Sequence, residues 1–414
     1  MRILGLSSYY GSSVASSHLG RNRNQAFADA GFYMVSYAPT PSRGLTKEEI
    51  KRYKKISLET NYDGHQVVHL YRMFSEGKNP LQRALRYTCS AFIQFFKGVF
   101  ARDARSCCVM FISSTPPIQG AMAGLVKKCR RDHIPIVYNL QDIFPDSLVG
   151  TGLAKKGGLL WKIGRVIENF TYRNADKIIV ISQDFKRNIM AKGVPEEKIE
   201  VIYNWVDQNA VVDIPRAENK LFDKYHLDRS KFYITYSGNI GLTQNMDMLL
   251  EVMQELQIEA PDIHLVLIGE GAYKKQVEEI VTTKDLRNVT MLPFQPYEDI
   301  SYVFSLGDVG LVISKPGVGE NSVPSKTWSI MSASRPVLAN FDENELKDII
   351  TSHKCGLFTK AGDKAAFKAS IVQLYHNPAL CIEYGHNGRR FILDNLTKEI
   401  GTQKYVDVIK SFEK

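Results

Sequence analysis

Short apolar runs alternate with helical segments along most of the chain. Helical patterns such as HLGRNRNQAFADAG, IQGAMAGLVKKCRRDH and WKIGRVIENFTYRNA separate apolar runs that read as strands, among them MRILGLSSYY, FYMVSYAP, CCVMFISS, IPIVYNLQD, KIIVISQDF and KIEVIYNWVD. Strands that alternate with helices favour parallel sheets covered by helices on both faces. This rhythm therefore predicts an α/β chain and argues against an all-helical or all-strand fold.

The rhythm stops near residues 206–230 and then starts again. The second series of strands is predicted in KFYITYSGNIG, IHLVLIGEGA, NVTMLPF, DVGLVIS and PVLANFD. A chain of 414 residues is too long for one core and suits two domains of about 200 residues each. We predict two Rossmann-like domains, over 1–205 and 206–395, with ligands at the carboxyl ends of the strands.

Basic residues are concentrated in the first half. Residues 1–205 carry 30 Lys and Arg against 16 Asp and Glu, whereas residues 206–414 carry 23 against 28. The basic half could meet nucleic acid, an anionic membrane surface or a phosphorylated lipid, or it could simply be a solvated basic surface. The charge alone leaves these alternatives open.

Cysteine usage and hydropathy indicate the cell compartment. The six cysteines form no C-x-x-C pair, and none lies at metal-ligand spacing from a histidine, which favours a reduced cytoplasmic protein. The apolar start of the chain ends within one strand's length, so we expect no signal peptide. No apolar stretch reaches about 18 residues, so we expect no spanning helix.

Residues 66–105 depart from the strand-helix rhythm. Large apolar residues, including Phe92, Phe96 and Phe100, are interleaved there with arginine and lysine. An amphipathic helix that lies in a membrane interface needs this combination. A helix with one face in the core and a basic outer face would show the same pattern, and both interpretations stay open.

Glycines follow two strands of the second half. Gly238 and Gly241 come after one strand, and Gly269 and Gly271 after the next. Glycine at a strand end lets backbone N–H groups approach a phosphate, and the helix that follows adds a favourable dipole. Each turn alone is a weak signal, because such turns are frequent in α/β proteins.

The triplet Pro-Ser-Lys at 324–326 stands at the start of an apolar helical run, TWSIMSA. A lysine at this position opposes the helix dipole unless it meets an anion. Ser325 suits the N-cap position, which places Lys326 in the first turn. A diphosphate bound there would receive both the dipole and the ammonium, although a lysine that reaches out to solvent is the alternative.

Polar residues also close strands of the first half. Asp142 follows an apolar strand beside Gln141, Ser114 closes another strand, and Gly11, Ser12 and Ser13 close the first. An acid at this edge can orient a substrate hydroxyl or accept its proton, although Asp142 or Asp146 could instead cap a helix. The nine histidines are scattered, so no metal site is predicted.

Taken in order, these segments resemble the retaining glycosyltransferases of family 4, which have the GT-B fold, and most of all the WbuB-like subgroup of O-antigen and capsule assembly. The pieces VPSKTWSIMSASRPVLA and YNLQDIFPDSL carry the resemblance most specifically. It implies a nucleotide-sugar donor on the second domain and an acceptor on the first. It also implies no required metal or cofactor, and a final helix within 396–414 that crosses back to the first domain.

The resemblance also assigns donor-side positions, some of which depart from the family pattern. Asn239 and Gln244 stand where family members often carry Arg and Lys to neutralise the diphosphate. Glu320 matches the glutamate near the donor sugar, Ser329 replaces the glutamate on the ribose, and Phe294 lies in the donor-side segment LPFQPYEDI. Lys326 is therefore the main expected cation for the diphosphate.

These expectations combine into one hypothesis. The chain is expected to move a hexosyl or N-acetylhexosaminyl group from a UDP-sugar to a polyprenyl-diphosphate-linked saccharide, on the inner face of the cell membrane and without nucleic acid. Asp142, Glu320 and Lys326 are the expected catalytic residues. Two alternatives remain: a non-catalytic nucleotide-binding subunit of a transferase complex, and a UDP-sugar 2-epimerase.

Overall fold

The computed structural model describes residues 1–10, 17–42, 44–77, 79–150, 152, 154–320 and 322–413. Their contacts divide the chain into two compact units. The first unit contains residues 1–203 and 401–414, and the second contains residues 204–400. Each unit is built around its own sheet, and each is described below by itself.

In the described part of the first unit, eight strands form one sheet. They are β1 (Arg2–Leu6), β2 (Tyr33–Pro39), β3 (Leu58–Asn61), β4 (Gln66–Tyr71), β5 (Val109–Ser113), β6 (Ile136–Leu140), β7 (Lys177–Val180) and β8 (Ile199–Val201). Their order across the sheet is β3-β4-β2-β1-β5-β6-β7-β8. From β1 the order runs through β5, β6, β7 and β8 on one side and through β2, β4 and β3 on the other, close to that of a doubly wound sheet.

Helices connect these strands. They are α1 (Ser17–Asp29), α2 (Lys47–Tyr53), α3 (Pro80–Phe100), α4 (Arg102–Arg105), α5 (Ile118–Cys129), α6 (Asp146–Gly150), α7 (Leu159–Asn174) and α8 (Gln183–Ala191). Apolar side chains of the central strands, such as Leu4, Ile112 and Ile178, are fully buried in the core of this unit. Fully buried strands of a parallel sheet read as continuous apolar runs, which is why the sequence revealed them.

The structure corrects the sequence analysis at residues 66–105. This segment is not one helix, because it begins as strand β4, which pairs parallel with β2 and antiparallel with β3. The helical part is α3, whose N-cap Asn79 accepts a hydrogen bond from the backbone N–H of Leu81. The β3–β4 pair is also the exception to the predicted parallel pairing.

In the described part of the second unit, six strands form a parallel sheet in the order β11-β10-β9-β12-β13-β14. They are β9 (Phe232–Ser237), β10 (Ile263–Ile268), β11 (Val289–Leu292), β12 (Val309–Ile313), β13 (Val337–Phe341) and β14 (Gly356–Lys360). The helices are α9 (Lys220–Lys224), α10 (Met246–Glu259), α11 (Lys274–Thr283), α12 (Ile300–Phe304), α13 (Lys326–Ser332), α14 (Glu345–Ser352), α15 (Lys364–Tyr375) and α16 (Pro378–Asn395).

The last helix, α17 (Lys398–Lys410), begins in the second unit and belongs to the first from Gly401 onward. Its Tyr405 packs against Phe111 of β5 and donates a hydrogen bond to Oδ1 of Asn139 at 3.0 Å. Among the described residues, no helix is both long and apolar enough to cross a bilayer.

Candidate active site

The loops that follow β9 and β10 are joined through their backbones. The N–H of Gly238 donates to the carbonyl of Ile268 at 2.9 Å, and the N–H of Ile240 donates to the carbonyl of Glu270 at 2.9 Å. A Cβ on Gly269 would lie 1.9 Å from the carbonyl oxygen of Gly238, and Gly269 also has a φ of +148°. Only glycine fits there, so the predicted glycine turns are two parts of one packed edge.

Gly271, in the loop after β10, is also a position where only glycine fits. A Cβ at this position would lie 2.1 Å from the carbonyl oxygen of Ile240. Within the loop after β9, Oε1 of Gln244 accepts the N–H of Gly241 at 3.0 Å. The Tyr236 hydroxyl donates to the carbonyl of Asn239 at 2.7 Å. Gln244 therefore shapes the loop, whereas Asn239 is exposed beside Gly238.

Lys326 reaches this edge from the start of α13. Its Nζ lies 3.5 Å from the centroid of the Tyr236 ring and 3.1 Å from where a Cβ on Gly238 would stand. Among the described residues, no carboxylate or hydrogen-bond acceptor contacts this ammonium. Burial lowers the pKa of Lys326 to about 7. The lysine thus points into the loops and does not reach out to solvent.

The predicted N-cap at Ser325 is wrong in its chemistry. Ser325 directly precedes the helix, but its backbone is already helical (φ −60°, ψ −21°), and its side chain makes no capping hydrogen bond. The first turn is instead closed by backbone bonds, from Thr327 N–H to the Pro324 carbonyl and from Trp328 N–H to the Ser325 carbonyl. An N-cap needs an extended backbone to aim its oxygen at the first N–H groups, and Ser325 lacks it.

The segment after β12 is held by a residue that the sequence analysis missed. The Asp342 carboxylate accepts the N–H of Gly317 at 2.9 Å and the N–H of Gly319 at 2.7 Å. The N–H of Lys315 donates to the carbonyl of Thr243 at 2.8 Å, which ties this segment to the loop after β9. Asp342 follows a strand as Asp142 does, and this position at a strand end could have indicated Asp342 from the sequence.

The other residues predicted on the donor side make no described contact with the glycine turns. Glu320 is exposed, Ser329 is half-buried on α13, and Phe294 is 64% exposed after β11. A second lysine lies near the second glycine turn, because Nζ of Lys315 is 5.6 Å from the centroid of the ring of Tyr273, two residues after Gly271. The backbone N–H of Tyr273 in turn donates to Ile240 at 3.0 Å. Lys315 is therefore a second cation near this edge.

In the first unit, Asp142 lies at the end of β6, as predicted. Its Oδ2 accepts the Ser147 hydroxyl at 3.1 Å. Apolar neighbours desolvate the carboxylate and raise the pKa of Asp142, although one side of the residue is exposed. Asp142 lines a small cavity together with Tyr138, Glu168 and Tyr172, and the cavity has room for about one water molecule.

The other acceptor-side predictions divide into two groups. The backbone N–H of Gln141 donates to the Ser114 hydroxyl at 3.0 Å, and the Gln141 side chain donates to Asn139 at 3.0 Å. These residues thus form one polar network at the ends of β5 and β6. Gly11, Ser12 and Ser13 lie outside the described residues.

Asp146 has a structural role beside this network. It pairs with Lys192 at 2.6 Å and accepts the Trp161 indole N–H at 3.2 Å, and Lys192 also pairs with the buried Glu168 at 2.9 Å. Desolvation alone would raise the pKa of Asp146, but the hydrogen bond and charge of the Lys192 ammonium outweigh it, so the pKa is lowered from its ordinary value. Across the described ranges, no group of three His, Cys, Asp or Glu side chains is arranged to hold a metal ion.

The fold matches solved structures along almost its whole length. Sucrose-phosphate synthase from Thermosynechococcus elongatus aligns with a TM-score of 0.77 at 16% identity, covering 99% of this chain and 98% of that one. Anabaena Alr3699/HepE, solved in complex with UDP, aligns with a TM-score of 0.74 at 16% identity, covering 99% and 100%. These structural neighbours have the GT-B fold, so the predicted fold class is confirmed.

Two family models then match consecutive parts of the chain. The model described as Glycosyltransferase Family 4 matches residues 112–210, and the model described as Glycosyl transferases group 1 matches residues 217–391. The chain belongs to family 4 of the GT-B glycosyltransferases.

Named relatives are similar over part of their length. The putative colanic acid biosynthesis glycosyl transferase WcaI of Escherichia coli is 29% identical over 47% of this chain, and the chain spans about half of that relative (48%). The probable glycosyltransferase WbjE of Pseudomonas aeruginosa is 24% identical over 66% of this chain and 68% of its own length. The putative glycosyltransferase EpsD of Bacillus subtilis is 27% identical over 67% and 70%.

Proposed function

We propose that this chain transfers a sugar from a nucleoside-diphosphate sugar, UDP-linked, to a lipid-linked saccharide in bacterial surface polysaccharide synthesis. One observation carries the donor part. A half-buried lysine, Lys326, lies beside the exposed backbone of Gly238 and has no carboxylate partner among the described residues. A buried ammonium is costly unless an anion meets it, and a diphosphate supplies that anion.

The nature of the donor draws support from structural neighbours. Alr3699/HepE was solved in complex with UDP and with UDP-glucose, and it shares the fold at TM-scores of 0.74 and 0.72. The acceptor class draws support from relatives named for colanic acid and capsular polysaccharide biosynthesis. A polyprenyl-diphosphate-linked saccharide at the inner face of the membrane fits both the acceptor class and the basic first half of the chain.

The proposed reaction needs little covalent machinery from the protein. The bond from the anomeric carbon to the donor phosphate oxygen breaks, and the acceptor oxygen bonds to that carbon from the same face, with retention of configuration. The acceptor proton passes to a phosphate oxygen of the departing UDP. Lys326, with Lys315 as a second cation, stabilises the charge that develops on the diphosphate, and Glu320 lies on the sugar side.

Asp142 has the matching role on the acceptor side. Its carboxylate lies at the exposed end of β6 and is held by the Ser147 hydroxyl at 3.1 Å. In this position it can accept a hydrogen bond from an acceptor hydroxyl and orient it for attack. Replacing Asp142 by asparagine should lower kcat by about 10²-fold through lost orientation, with UDP affinity unchanged.

The test is a transfer assay with purified protein, a panel of UDP-sugars and a polyprenyl-diphosphate saccharide extract, with the product anomer assigned by NMR. Sugar transfer with the donor's anomeric configuration, reduced in Lys326→Met and Asp142→Asn, supports the proposal. Inverted products contradict the mechanism. A protein that binds UDP tightly but transfers no sugar from any donor is the non-catalytic subunit. That alternative is motivated by Asn239 and Gln244, which stand where the family often carries cations, and by Ser329, which replaces a glutamate.

A further inference from the structure

Three helices of the first unit lie side by side, with α5 between α3 and α7. Small residues let them approach closely. A Cβ on Gly98 of α3 would lie 3.1 Å from Val126 of α5, and a Cβ on Gly124 of α5 would lie 2.9 Å from Phe170 of α7. The outward surfaces of these helices therefore adjoin one another. We call this surface, formed by α3, α5 and α7, the three-helix face.

The α3 part of the three-helix face carries exposed apolar side chains near both ends of the helix. Five large side chains are more than half exposed at helical spacing along one stripe: Leu81 (79%), Leu85 (58%), Phe92 (52%), Phe96 (57%) and Phe100 (67%). The opposite side of the helix faces the core, where Ser90 and Gln94 are buried. Helix α3 therefore has a core face and an exposed apolar face, and the membrane-interface interpretation of this segment stays a prediction.

A second apolar stripe lies on α7, where the sequence analysis predicted only a connecting helix. Four of its side chains are exposed: Leu159 (77%), Leu160 (51%), Ile163 (50%) and Val166 (69%). On α5 between them, Leu125 is 39% exposed. Exposed apolar side chains grouped in this way indicate an interaction site, since soluble helices normally carry polar residues there.

The charge of the three-helix face is one-sided. The sequences of α3, α5 and α7 contain eight Lys and Arg but a single acidic residue, Glu168. Glu168 is buried and is neutralised by its pairs with Lys192 and Arg165, so it presents no negative charge outward. Lys97, Lys128, Lys162 and Arg173 are exposed.

We propose that the three-helix face docks on an anionic phospholipid bilayer, with the apolar stripes of α3 and α7 both inserted at the headgroup level. Apolar side chains flanked by cations have the chemistry of an interfacial surface, and anionic lipid complements the charge. A second copy of this chain would present the same positive charge and would be repelled. The inference rests on the proposed function only for its purpose, which is access to a lipid-linked acceptor.

Flotation with lipid vesicles tests the proposal without any substrate. Full-length protein is mixed with vesicles of phosphatidylcholine alone, or of phosphatidylcholine with about one third phosphatidylglycerol. Two double variants each remove one stripe: Phe96→Ser/Phe100→Ser on α3 and Ile163→Ser/Val166→Ser on α7. Phe95 is left in place because it packs against the core. Ile258→Ser/Ile382→Ser is the matched control, since both residues are exposed (83% and 60%) in the second unit.

We expect the wild type to float with the anionic vesicles only, and each stripe variant to lose about tenfold in apparent affinity while the control does not. Three results would each overturn the proposal. They are an α7 variant that binds the anionic vesicles as tightly as the wild type, a wild type that binds neutral vesicles equally well, and a wild type that binds neither. So would a wild-type dimer in ultracentrifugation that the α7 variant dissociates, which would assign the face to a second copy.

Calorimetry with UDP on the same variants separates this inference from the proposed function. Variants that no longer float should keep the wild-type affinity for UDP, and unchanged melting temperatures would show that they fold. A wild type that binds UDP but does not float contradicts the docking face alone. A wild type that floats but does not bind UDP contradicts the proposed donor site alone.

Discussion

The ammonium nitrogen of Lys326 lies 3.5 Å from the centroid of the Tyr236 ring, at the carboxyl end of β9. The ring face is a weak substitute for a counter-ion, because a desolvated cation over an aromatic ring gains about 2 kcal/mol or somewhat more, whereas burying an ion costs several kcal/mol. The ring therefore holds the lysine in place but does not take the place of an anion. This relationship makes Lys326 the centre of the proposed donor site, and it has a consequence for pH.

Lys326 should make stability depend on pH in a definite direction. Its pKa is about 7 in the folded protein, against 10.5 ordinarily. Between these values the unfolded chain holds the proton and the folded protein does not, so the free energy of unfolding rises with pH across this window. Lys326→Met removes the cost of the buried charge. Its advantage over the wild type in urea unfolding should be larger at pH 6 than at pH 9, and a constant difference would contradict the lowered pKa.

Gly271→Ala should damage the donor-side edge. A Cβ would stand 2.1 Å from the carbonyl oxygen of Ile240, so the two loops must separate, at a cost of about 3 kcal/mol in unfolding free energy. UDP affinity should fall as well. The control is Gly20→Ala in α1, where the nearest atom is 4.0 Å away and alanine should stabilise the helix by up to about 1 kcal/mol. Equal melting temperatures for both variants would refute the close packing.

Asp342→Asn should separate sugar binding from nucleotide binding. The side chain of asparagine has one carbonyl oxygen, so it cannot replace both carboxylate oxygens that accept the N–H groups of Gly317 and Gly319. We expect the ordered conformation of this loop to lose about 1–2 kcal/mol of stabilisation. We expect the KM for the UDP-sugar to rise several-fold while the Kd of UDP stays unchanged. Asp348→Asn on the exposed side of α14 serves as the control. A fall in UDP affinity would show that the loop contacts the nucleotide.

Lys192→Met should destabilise the first unit. The change removes the cation that Asp146 and the buried Glu168 share and leaves Glu168 paired with Arg165 alone, so we expect a cost of about 3 kcal/mol, the lower end for a broken buried pair. Because Lys192 lowers the pKa of Asp146, the wild type should lose this contribution as the pH falls below about 4, and the variant should lose less. Lys186→Met, which breaks a pair with the exposed Glu196, should cost about 0–1 kcal/mol. Similar denaturation midpoints for both variants would contradict the role of Lys192.

The sequence predicted the sheets better than the site. Central strands such as β6 and β12 are buried on both faces, so they appear as uninterrupted apolar runs. Strand β4 was hidden because its buried and half-buried residues alternate beside an antiparallel neighbour. The glycine turns and the first-turn position of Lys326 could be predicted, because both follow from local spacing.

What could not be predicted depends on contacts between distant residues. Tyr236 reads as an ordinary strand residue, and nothing local indicates that a lysine ninety positions later will lie on its ring. Ser325 has the right side chain for an N-cap, but the backbone of the preceding segment decides its conformation. The exposed stripe on α7 has the spacing of a core-facing helix, and only the fold shows that it is uncovered.

The most direct test of the donor site is calorimetry of the purified protein with UDP, GDP, ADP and dTDP. The comparison is between the wild type, Lys326→Met and Lys284→Met, whose lysine contacts Gln254 near the C-terminal end of α11. We predict that UDP binds the wild type and Lys284→Met equally and that Lys326→Met loses most of the affinity. Equal UDP affinity in all three proteins would contradict the assignment of Lys326 as the cation that binds the diphosphate.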